Sequence, residues 1–584
     1  MLKRFLYMGI AALSLSSCSK NLDIPPVDQI SNDQYWKTGS DLNSYVLQFY
    51  TAFPTFRNQS GFHGNIGMDA YNGSDHQIQN IPVTQMNGTR TATASGGRWN
   101  WASIRAVNIF FENYQKVNEP AANIAQYVGE AHFFKAWFYF EKVRFFGDVP
   151  WYTNSMLAND AHLYDARTPR TQVVDSILYH LDQAIAKLSL LKDVPGGNNR
   201  LSKEAALIFK TRVALFEGSW QKYHAGTPFA TSGANPSKYF QAAVDAAKEL
   251  MTPGKYKVGI YNTGKPASDY NALFNSTNLS SNTEVTLWCK FDKSQSTFSH
   301  NFQQYITSGT NGLSATRELI LNYLKKDGTP YDYDGTAATV KGSAFLTKIG
   351  TDCDPRLSQV IWIPGQTMWD NSAGKVLFVK PSLEKSGENK NYTGFQMNKG
   401  VDPKDPTAGG ALGFSTACET GAVVFRYAEA LLNYAEAQAE LGGAIDYASS
   451  IDKLRARAGM PNFAAQADAS RSKYADFGYT LSNELYEIRR ERAVELACEG
   501  FRFDDWRRWR AHNLFKGKRP TGFPYLASEY AAGLVVPTDA SGLVDPFKTS
   551  MASGYNFNVG RDYLDNIPTN EITLNPKLTP NPGW

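Results

Sequence analysis

Four stretches of the sequence place aromatic rings next to planar polar side chains: MDAYNGSDH, SGGRWNW, TPYDYDG and WIPGQTMWDN. A flat ring can stack on the apolar face of a ligand, while amide, carboxylate and guanidinium groups bind its hydroxyl groups. The candidate ligand-binding residues are Asp69, Tyr71, Asn72, Asp75, Arg98, Trp99, Asn100, Tyr331, Tyr333, Trp362, Trp369, Asp370 and Asn371. For each ring the alternative is packing against the body of the protein. Trp101 is expected to start a helix and to point inward.

A second set of chemically capable residues is a row of carboxylates in ELYEIRRERAVELACEGFRFDDWRRWR. Glu491, Glu495 and Glu499 follow one another at a spacing of four residues, which is mildly repulsive in an isolated helix. Such carboxylates could act as a catalytic acid and base. No nucleophile accompanies them, however, and Arg455 and Arg457 of KLRARAG can approach from the preceding helix. We therefore expect structural ion pairs here.

The familiar enzyme motifs are missing from the chain. The sequence contains no GxSxG, no HExxH and no P-loop, and its eight histidines are scattered. The carboxylates of TPYDYDG could bind calcium, but turn formation is the simpler explanation. No catalytic residue, cofactor or metal site is therefore predicted.

The N-terminus has the pattern of an export signal. Lys3 and Arg4 are followed by an apolar run that is too short to span a membrane, and small residues then lead to Cys18. The ending Leu15-Ser16-Ser17-Cys18 resembles the lipobox of bacterial lipoproteins. We expect residues 1–17 to be a signal peptide and Cys18 to be lipidated, with lipid as the membrane attachment. An ordinary signal peptide is the alternative.

Composition and charge exclude some classes of function. Aromatic residues make up 13% of the chain and charged residues 20%, which is typical of a folded protein. The net charge is only +4 over 584 residues, and no run of lysine and arginine is present. Nucleic acid is therefore not an expected partner. The cysteines beyond Cys18 lack zinc-site spacing, and both a disulfide and buried free thiols remain possible.

The elements that must position these residues are mainly helices. Hydrophobic periodicity predicts helices at about 41–53, 101–117, 122–146, 171–191, 201–223, 236–251, 422–441, 446–458 and 482–499. The stretch from Phe133 to Phe146 carries eight aromatic rings that point in all directions around a helix, which predicts a buried helix. Gly147 and Pro150 are expected to end it. Stacked helix pairs are the expected arrangement.

The part of the chain between about 252 and 421 differs in texture. It is rich in turn residues and contains short alternating runs, such as EVTLWCKF and LSQVIWIP, that predict short strands. We expect a loop-rich insert in an all-α scaffold. The predicted organisation is an extended arm at 18–40, a helical scaffold at about 41–251 and 422–510, the insert at about 252–421, and an irregular C-terminal segment at 511–584.

Several of these segments together resemble the SusD/RagB family of Bacteroidetes outer-membrane lipoproteins. They are LDIPPVDQISNDQYWKTGSDL, EAHFFKAWFYFEKVRFFGDVP, RYAEALLNYAEAQAELGG, IDKLRARAGM, IRRERAVELACEGFRFDDWRRW and IPTNEITLNPKLTPNPGW. The resemblance implies a single domain over residues 18–584 with tetratricopeptide-like helix pairs. It also implies a non-enzymatic, lipid-anchored cell-surface protein that captures a glycan for a SusC-like TonB-dependent transporter. Ligand-contacting residues of this family lie in variable loops, so none is carried over by motif.

Three alternatives remain open beside a surface glycan-binding protein. The first is a peptide-binding member of the same family. The second is an extracellular glycoside hydrolase, which needs two carboxylates about 5–5.5 Å or 6.5–9.5 Å apart across a cleft. The third is a helical scaffold whose only ligand is another protein.

Overall fold

The computed structural model describes residues 35–53, 66, 68–295, 298–308, 312–410, 417–466 and 475–584. Cys18 and the predicted signal peptide lie outside them. The helices of the described residues are α1 (Gly39–Leu47), α2 (Met68–Asn72), α3 (Ala102–Asn113), α4 (Ala121–Phe146), α5 (Arg170–Lys187), α6 (Lys203–Tyr223), α7 (Pro236–Met251), α8 (Asp269–Ala272), α9 (Phe302–Ser308), α10 (Arg317–Ile320), α11 (Tyr333–Thr339), α12 (Gly342–Asp352), α13 (Tyr427–Glu440), α14 (Ile451–Arg457), α15 (Asn483–Glu495), α16 (Arg502–Arg508) and α17 (Thr569–Leu574). The strands are β1 (Gln77–Ile78), β2 (Val285–Cys289), β3 (Ser314–Ala315), β4 (Thr367–Asn371), β5 (Gly374–Leu377), β6 (Phe395–Gln396) and β7 (Ala422–Arg426).

The scaffold consists of long helices that pack against their neighbours in the chain. α4 packs against α5, α5 against α6, and α6 against α7, while α13 packs against α6, α7 and α15. This stacking is the arrangement expected of helix-pair repeats, and the predicted fold class is confirmed. Two predicted helix starts are five residues too early. The helix expected from residue 446 begins at Ile451. The helix expected from residue 422 begins only at Tyr427, because residues 422–426 form β7 and pair with β2.

The aromatic helix α4 lies in the main hydrophobic core, as predicted. None of its eight rings between Phe133 and Phe146 is more than 7% exposed. Rings from other elements, including Phe209 and Phe425, contact them at centroid distances of 5.0 to 6.1 Å. α4 ends at Gly147, whose φ of 72° is costly for a residue with a side chain. The rings of α4 therefore serve packing.

The insert is more regular than the sequence predicts. It contains helices α8 to α12 and much of a second hydrophobic core, in which Tyr323, Trp362 and Phe395 are buried. The antiparallel sheet β1–β3–β6 ties this insert to the segment that follows α2. EVTLWCKF forms β2, as predicted. LSQVIWIP does not form a strand, because it turns at residues 357–359 and only Ile361 makes a bridge, with Met397.

The carboxylate row on and after α15 is buried and paired, which confirms the structural interpretation. Its partners are Arg356 and Arg455 for Glu491, Lys399 and Arg426 for Glu499, and Arg356, Arg426 and Arg457 for Glu495. The contacts with Glu495 are 2.9, 2.7 and 2.5 Å long, in that order. This network joins the insert to the scaffold.

The remaining cysteines are free thiols. Cys353, Cys418 and Cys498 are buried and Cys289 is partly buried, with no disulfide among them. Of the two possibilities that the sequence leaves open, free thiols are the one observed. None of the helices in the described part of the chain is both long enough and apolar enough to cross a membrane.

Candidate functional site

The first predicted stretch contains two carboxylates that the protein itself uses. Asp69 is 1% exposed and accepts hydrogen bonds from the backbone N–H groups of Gly500 (3.3 Å) and Arg502 (3.0 Å). Asp75 is also buried and forms two 2.7 Å contacts with the Arg502 guanidinium. The expected exposure of these carboxylates is wrong, because they fix the start of α16. Tyr71 is exposed and Asn72 is partly exposed.

The electrostatics of these two carboxylates differ. Burial raises the pKa of Asp69 to about 7, in spite of the hydrogen bonds from Gly500 and Arg502. Burial alone would also raise the pKa of Asp75, but the Arg502 guanidinium holds that pKa well below its ordinary value. Asp75 is therefore an ion-pair partner, and Asp69 is a carboxyl group close to its own titration at neutral pH.

In the second stretch, Trp99 is not the exposed platform that the sequence predicts. It is 7% exposed, and its ring lies edge-on to Phe146 at 4.9 Å. The ring belongs to the main hydrophobic core. Arg98 is half-exposed and contacts Asp565 at 3.3 Å. The exposed Asn100 accepts a hydrogen bond from the backbone N–H of Ala102, the first residue of α3.

Two rings of the third and fourth stretches are also buried, contrary to prediction. Tyr333 is 2% exposed, and its hydroxyl donates to the carbonyl of Tyr323. Trp362 is 2% exposed and stacks on Phe378 at 5.9 Å. Both rings belong to the hydrophobic core of the insert. The sequence of the insert is rich in turn residues and does not show how large this core is. Tyr331 is only partly buried.

The three candidate residues of β4, Trp369, Asp370 and Asn371, are partly exposed, and each contacts another part of the chain. A Cβ atom on Gly409 would lie 2.5 Å from the Trp369 ring, so this ring rests on backbone. Asp370 forms a 2.7 Å ion pair with Lys404. The Asn371 amide donates to the carbonyls of Asp405 and Ala408. Among the described residues, no hydrogen bond or ring contact joins any two of the four predicted stretches.

A groove of about 610 Å³ lies beside Trp99, within the range of about 300–1,000 Å³ found for small-ligand sites. Its walls are the start of α3, the loop at 150–164, and α17 with the residues that follow. The buried residues of its floor are Trp99, Ile104, Asn108, Pro150, Asn575 and Leu578. The exposed residues of its mouth are Ala102, Arg105, Asn154, Leu157, Ala158, Leu163, Tyr164 and Leu574.

Trp101 and Tyr152 form an aromatic wall of this groove. Their rings are edge-on at 5.2 Å, and both are partly exposed. Trp101 directly precedes α3, as predicted, but it does not point wholly inward. Burial raises the pKa of Tyr152 to about 12, so its hydroxyl remains a hydrogen-bond donor at neutral pH.

The loop that carries Tyr152 is held by side chains of the scaffold. The Asn108 amide donates to the carbonyls of Tyr152 (3.1 Å) and Asn154 (2.8 Å). The backbone N–H of Tyr152 donates to the hydroxyl of Tyr139, on α4, at 2.6 Å. A short antiparallel bridge between Val149 and Thr168 closes the base of the loop. The groove is therefore preformed.

Three polar side chains at the groove, Arg105, Asn154 and Glu571, have no partner among the described residues. Arg105 and Glu571 form no ion pair and no side-chain hydrogen bond with any described residue, and the Asn154 amide is likewise unpaired within them. A cation, an anion and an amide are thus available beside flat rings. That is the combination that binds a hydroxylated ring-shaped ligand.

Most of this groove was missed from the sequence. Trp99 is its only predicted candidate, and it lies in the floor. A signal was present in WYTNSMLANDAHLYD, where Tyr152, Asn154 and Tyr164 repeat the pattern of the four stretches. Across the part of the chain that the structure covers, no three His, Cys, Asp or Glu side chains are grouped so as to bind a metal ion.

Comparison with known families and structures agrees with this architecture. The profile of the SusD family matches residues 270–584, which is more than half of the chain, and a second profile, "Starch-binding associating with outer membrane", matches residues 60–215. The chain therefore belongs to the SusD family.

Named relatives and solved structures extend this comparison. SusD-like protein P2 of Formosa agariphila is 24% identical over 98% of both chains. SusD-like protein P38 of the same organism is 27% identical, but the match spans 35% of this chain and 41% of P38. A SusD-like protein of Bacteroides fragilis superposes with a TM-score of 0.71 at 21% identity, covering 96% of this chain and all of the other. A SusD-like carbohydrate binding protein of Bacteroides fragilis gives 0.71 at 22%, covering 93% and 100%. These superpositions show a shared fold.

Proposed function

We propose that this protein is a non-catalytic, lipid-anchored cell-surface protein that binds a glycan and delivers it to a SusC-like TonB-dependent transporter. The observation that carries the proposal is the preformed groove, in which the Trp101 and Tyr152 rings lie beside the unpaired Arg105, Asn154 and Glu571. A sugar ring can place its CH face on an aromatic ring while its hydroxyl groups reach the planar polar groups.

Family membership supports the same ligand class. One matching profile is described as starch-binding, and one structural neighbour is described as carbohydrate binding. The predicted lipobox at Cys18 and the association of that profile with the outer membrane support a surface location. The SusC-like partner rests on family resemblance.

The carboxylates support a binding protein over a hydrolase. Glu491, Glu495 and Glu499 are committed to buried ion pairs. Glu571 is the only carboxylate among the described residues that line the groove. A glycosidase site needs two carboxylates facing each other across the cleft.

Glycan titrations of ring variants test the site. Purified protein is titrated with starch, xylan, mannan and host glycans, and the best ligand is then used for Trp101→Ala and Tyr164→Ala. Each variant should weaken the dissociation constant roughly five- to thirtyfold, because one stacking contact is worth about 1–2 kcal/mol. Tyr179→Ala is the matched control, because Tyr179 is an exposed ring of α5 that does not line the groove. If Trp101→Ala and Tyr164→Ala both bind like wild type, the groove is not the glycan site.

Two cellular experiments test the anchor and the partner. Cys18→Ala should yield a soluble or mislocalised product, and a variant that still fractionates fully with outer membranes would contradict lipidation. The wild-type protein should co-purify with a SusC-like barrel after gentle detergent extraction. A protein that is quantitatively monomeric in native membranes would contradict the partnership.

A peptide ligand is the second candidate. The aliphatic residues at the mouth, Leu157, Leu163 and Leu574, could contact apolar peptide side chains. Titration with a mixed tryptic digest beside the glycan panel separates the two, because a peptide-binding groove should bind the digest and none of the polysaccharides.

A further inference from the structure

The mouth of the groove concentrates exposed apolar side chains. Among the described residues, 13 large hydrophobic side chains are exposed, and four of them line this one groove: Leu157, Leu163, Tyr164 and Leu574. Leu157 and Leu574 are each 68% exposed, and they come from different walls, the 150–164 loop and the end of α17. Single exposed apolar residues are ordinary, but a cluster at a cavity marks a binding surface.

An unsubstituted sugar does not use these leucines well. The CH face of a pyranose stacks on a flat ring, and Trp101 and Tyr152 supply such rings deeper in the groove. A branched aliphatic side chain offers no flat surface, and the outward-facing hydroxyl groups of a plain glycan would lie against Leu157 and Leu574. Those leucines would then either remain exposed to water or remove the hydroxyl groups from water without offering them hydrogen bonds. The second outcome costs free energy.

We infer that the groove binds a glycan that carries an apolar substituent, such as an acyl ester or an alkyl or aryl aglycone. The substituent lies between Leu157 and Leu574, while the sugar ring reaches Trp101 and the unpaired Arg105. This inference rests on the proposed glycan site and specifies its ligand class. Contact of the leucines with another protein is the competing explanation, and the experiment distinguishes it.

Pairs of n-butyl and methyl β-glycosides of glucose, galactose, xylose and mannose test the inference by isothermal titration. The members of a pair differ by three CH₂ groups. Burial of each CH₂ group contributes a factor of about four in affinity, so partial burial of three should favour the butyl glycoside of at least one sugar by about tenfold. Leu157→Ser/Leu574→Ser should reduce this ratio to below about threefold.

The matched control is Val379→Ser/Val535→Ser, which removes two apolar side chains outside the groove that are at least as exposed as the leucines, at 69% and 86%. It should keep the wild-type ratio. The inference is overturned if the butyl and methyl glycosides bind alike, if no butyl glycoside binds at its solubility limit, or if the leucine variant keeps the wild-type ratio. It is also overturned if that variant loses only co-purification with another membrane protein. In each of these cases the proposed function still stands if the protein binds a polysaccharide and this binding depends on Trp101. If the protein binds no polysaccharide in this way, the proposed function and the further inference are both contradicted.

Discussion

Replacement of Glu495 by glutamine should destabilise the protein although it changes almost no volume. Glu495 is fully buried, and its carboxylate contacts the guanidinium groups of Arg356, Arg426 and Arg457. The amide of glutamine would remove the charge and direct N–H donors at groups that are themselves donors. A buried charge that loses its partner typically costs about 3–5 kcal/mol.

The contacts around the network place the expected loss at the lower end of that range. Each arginine retains another carboxylate: Arg356 keeps Asp354 and Glu491, Arg426 keeps Glu284 and Glu499, and Arg457 keeps Glu284. We therefore expect a loss of about 3 kcal/mol in the free energy of unfolding. In the Glu495→Gln variant each of the three guanidinium groups still has a carboxylate partner, so no arginine is left without an ion pair.

The pH dependence of this loss follows from the pKa of Glu495. Burial alone would raise that pKa, but Arg457, Arg426 and Arg356 together hold it well below its ordinary 4.5. The stabilisation is therefore present above pH 4.5 and disappears only as the pH falls through the lower pKa of the folded state. The difference between wild type and variant should be constant from about pH 5 to 8 and should shrink in more acidic solution.

Urea unfolding followed by tryptophan fluorescence measures the effect. Glu384→Gln is the matched control, because Glu384 is partly exposed and meets Lys380 only at 3.9 Å. Its change should stay below about 1 kcal/mol. If Glu495→Gln unfolds at the same urea concentration as wild type between about pH 5 and 8, the buried network contributes nothing to stability and the reasoning is refuted.

Two further predictions concern other buried residues. Trp137→Ala should lower the free energy of unfolding by about 3–5 kcal/mol, because its ring lies inside the main core. Trp99→Ala should also destabilise the protein, because Trp99 is only 7% exposed. A denaturant curve with the wild-type midpoint for either variant would contradict the burial argument. Asp69→Asn should be less destabilising at pH 8 than at pH 5. The folded-state pKa of Asp69 is raised from 3.8 to about 7, so wild-type stability falls between these two pH values, where the carboxyl is ionised in the unfolded chain and still protonated in the folded protein. An equal loss at the two pH values would show that Asp69 is already ionised in the folded protein at pH 5.

The helices were predictable because each one has a periodic pattern of hydrophobic residues in its own sequence, which does not depend on contacts with distant parts of the chain. The aromatic rings on every face of α4 predict that this helix is buried. The observed ranges of α5 to α7 lie within a few residues of the predicted ranges. The error at residues 422–426 is different in kind. Its apolar run is compatible with helix and strand alike, and pairing with β2, more than 130 residues earlier, decides between them.

The candidate site was less predictable because exposure is a tertiary property. A tryptophan in a Gly-rich segment looks free in the sequence, but Trp99 and Trp362 each meet a ring that is distant in the chain, Phe146 and Phe378. Conversely, the groove joins residues 99–108, 150–164 and 571–578, and no local pattern records that α17 returns to the start of α3. Local composition can identify loops that are rich in aromatic rings. The tertiary structure, however, determines that the loop at 150–164 is the one that lines a cavity.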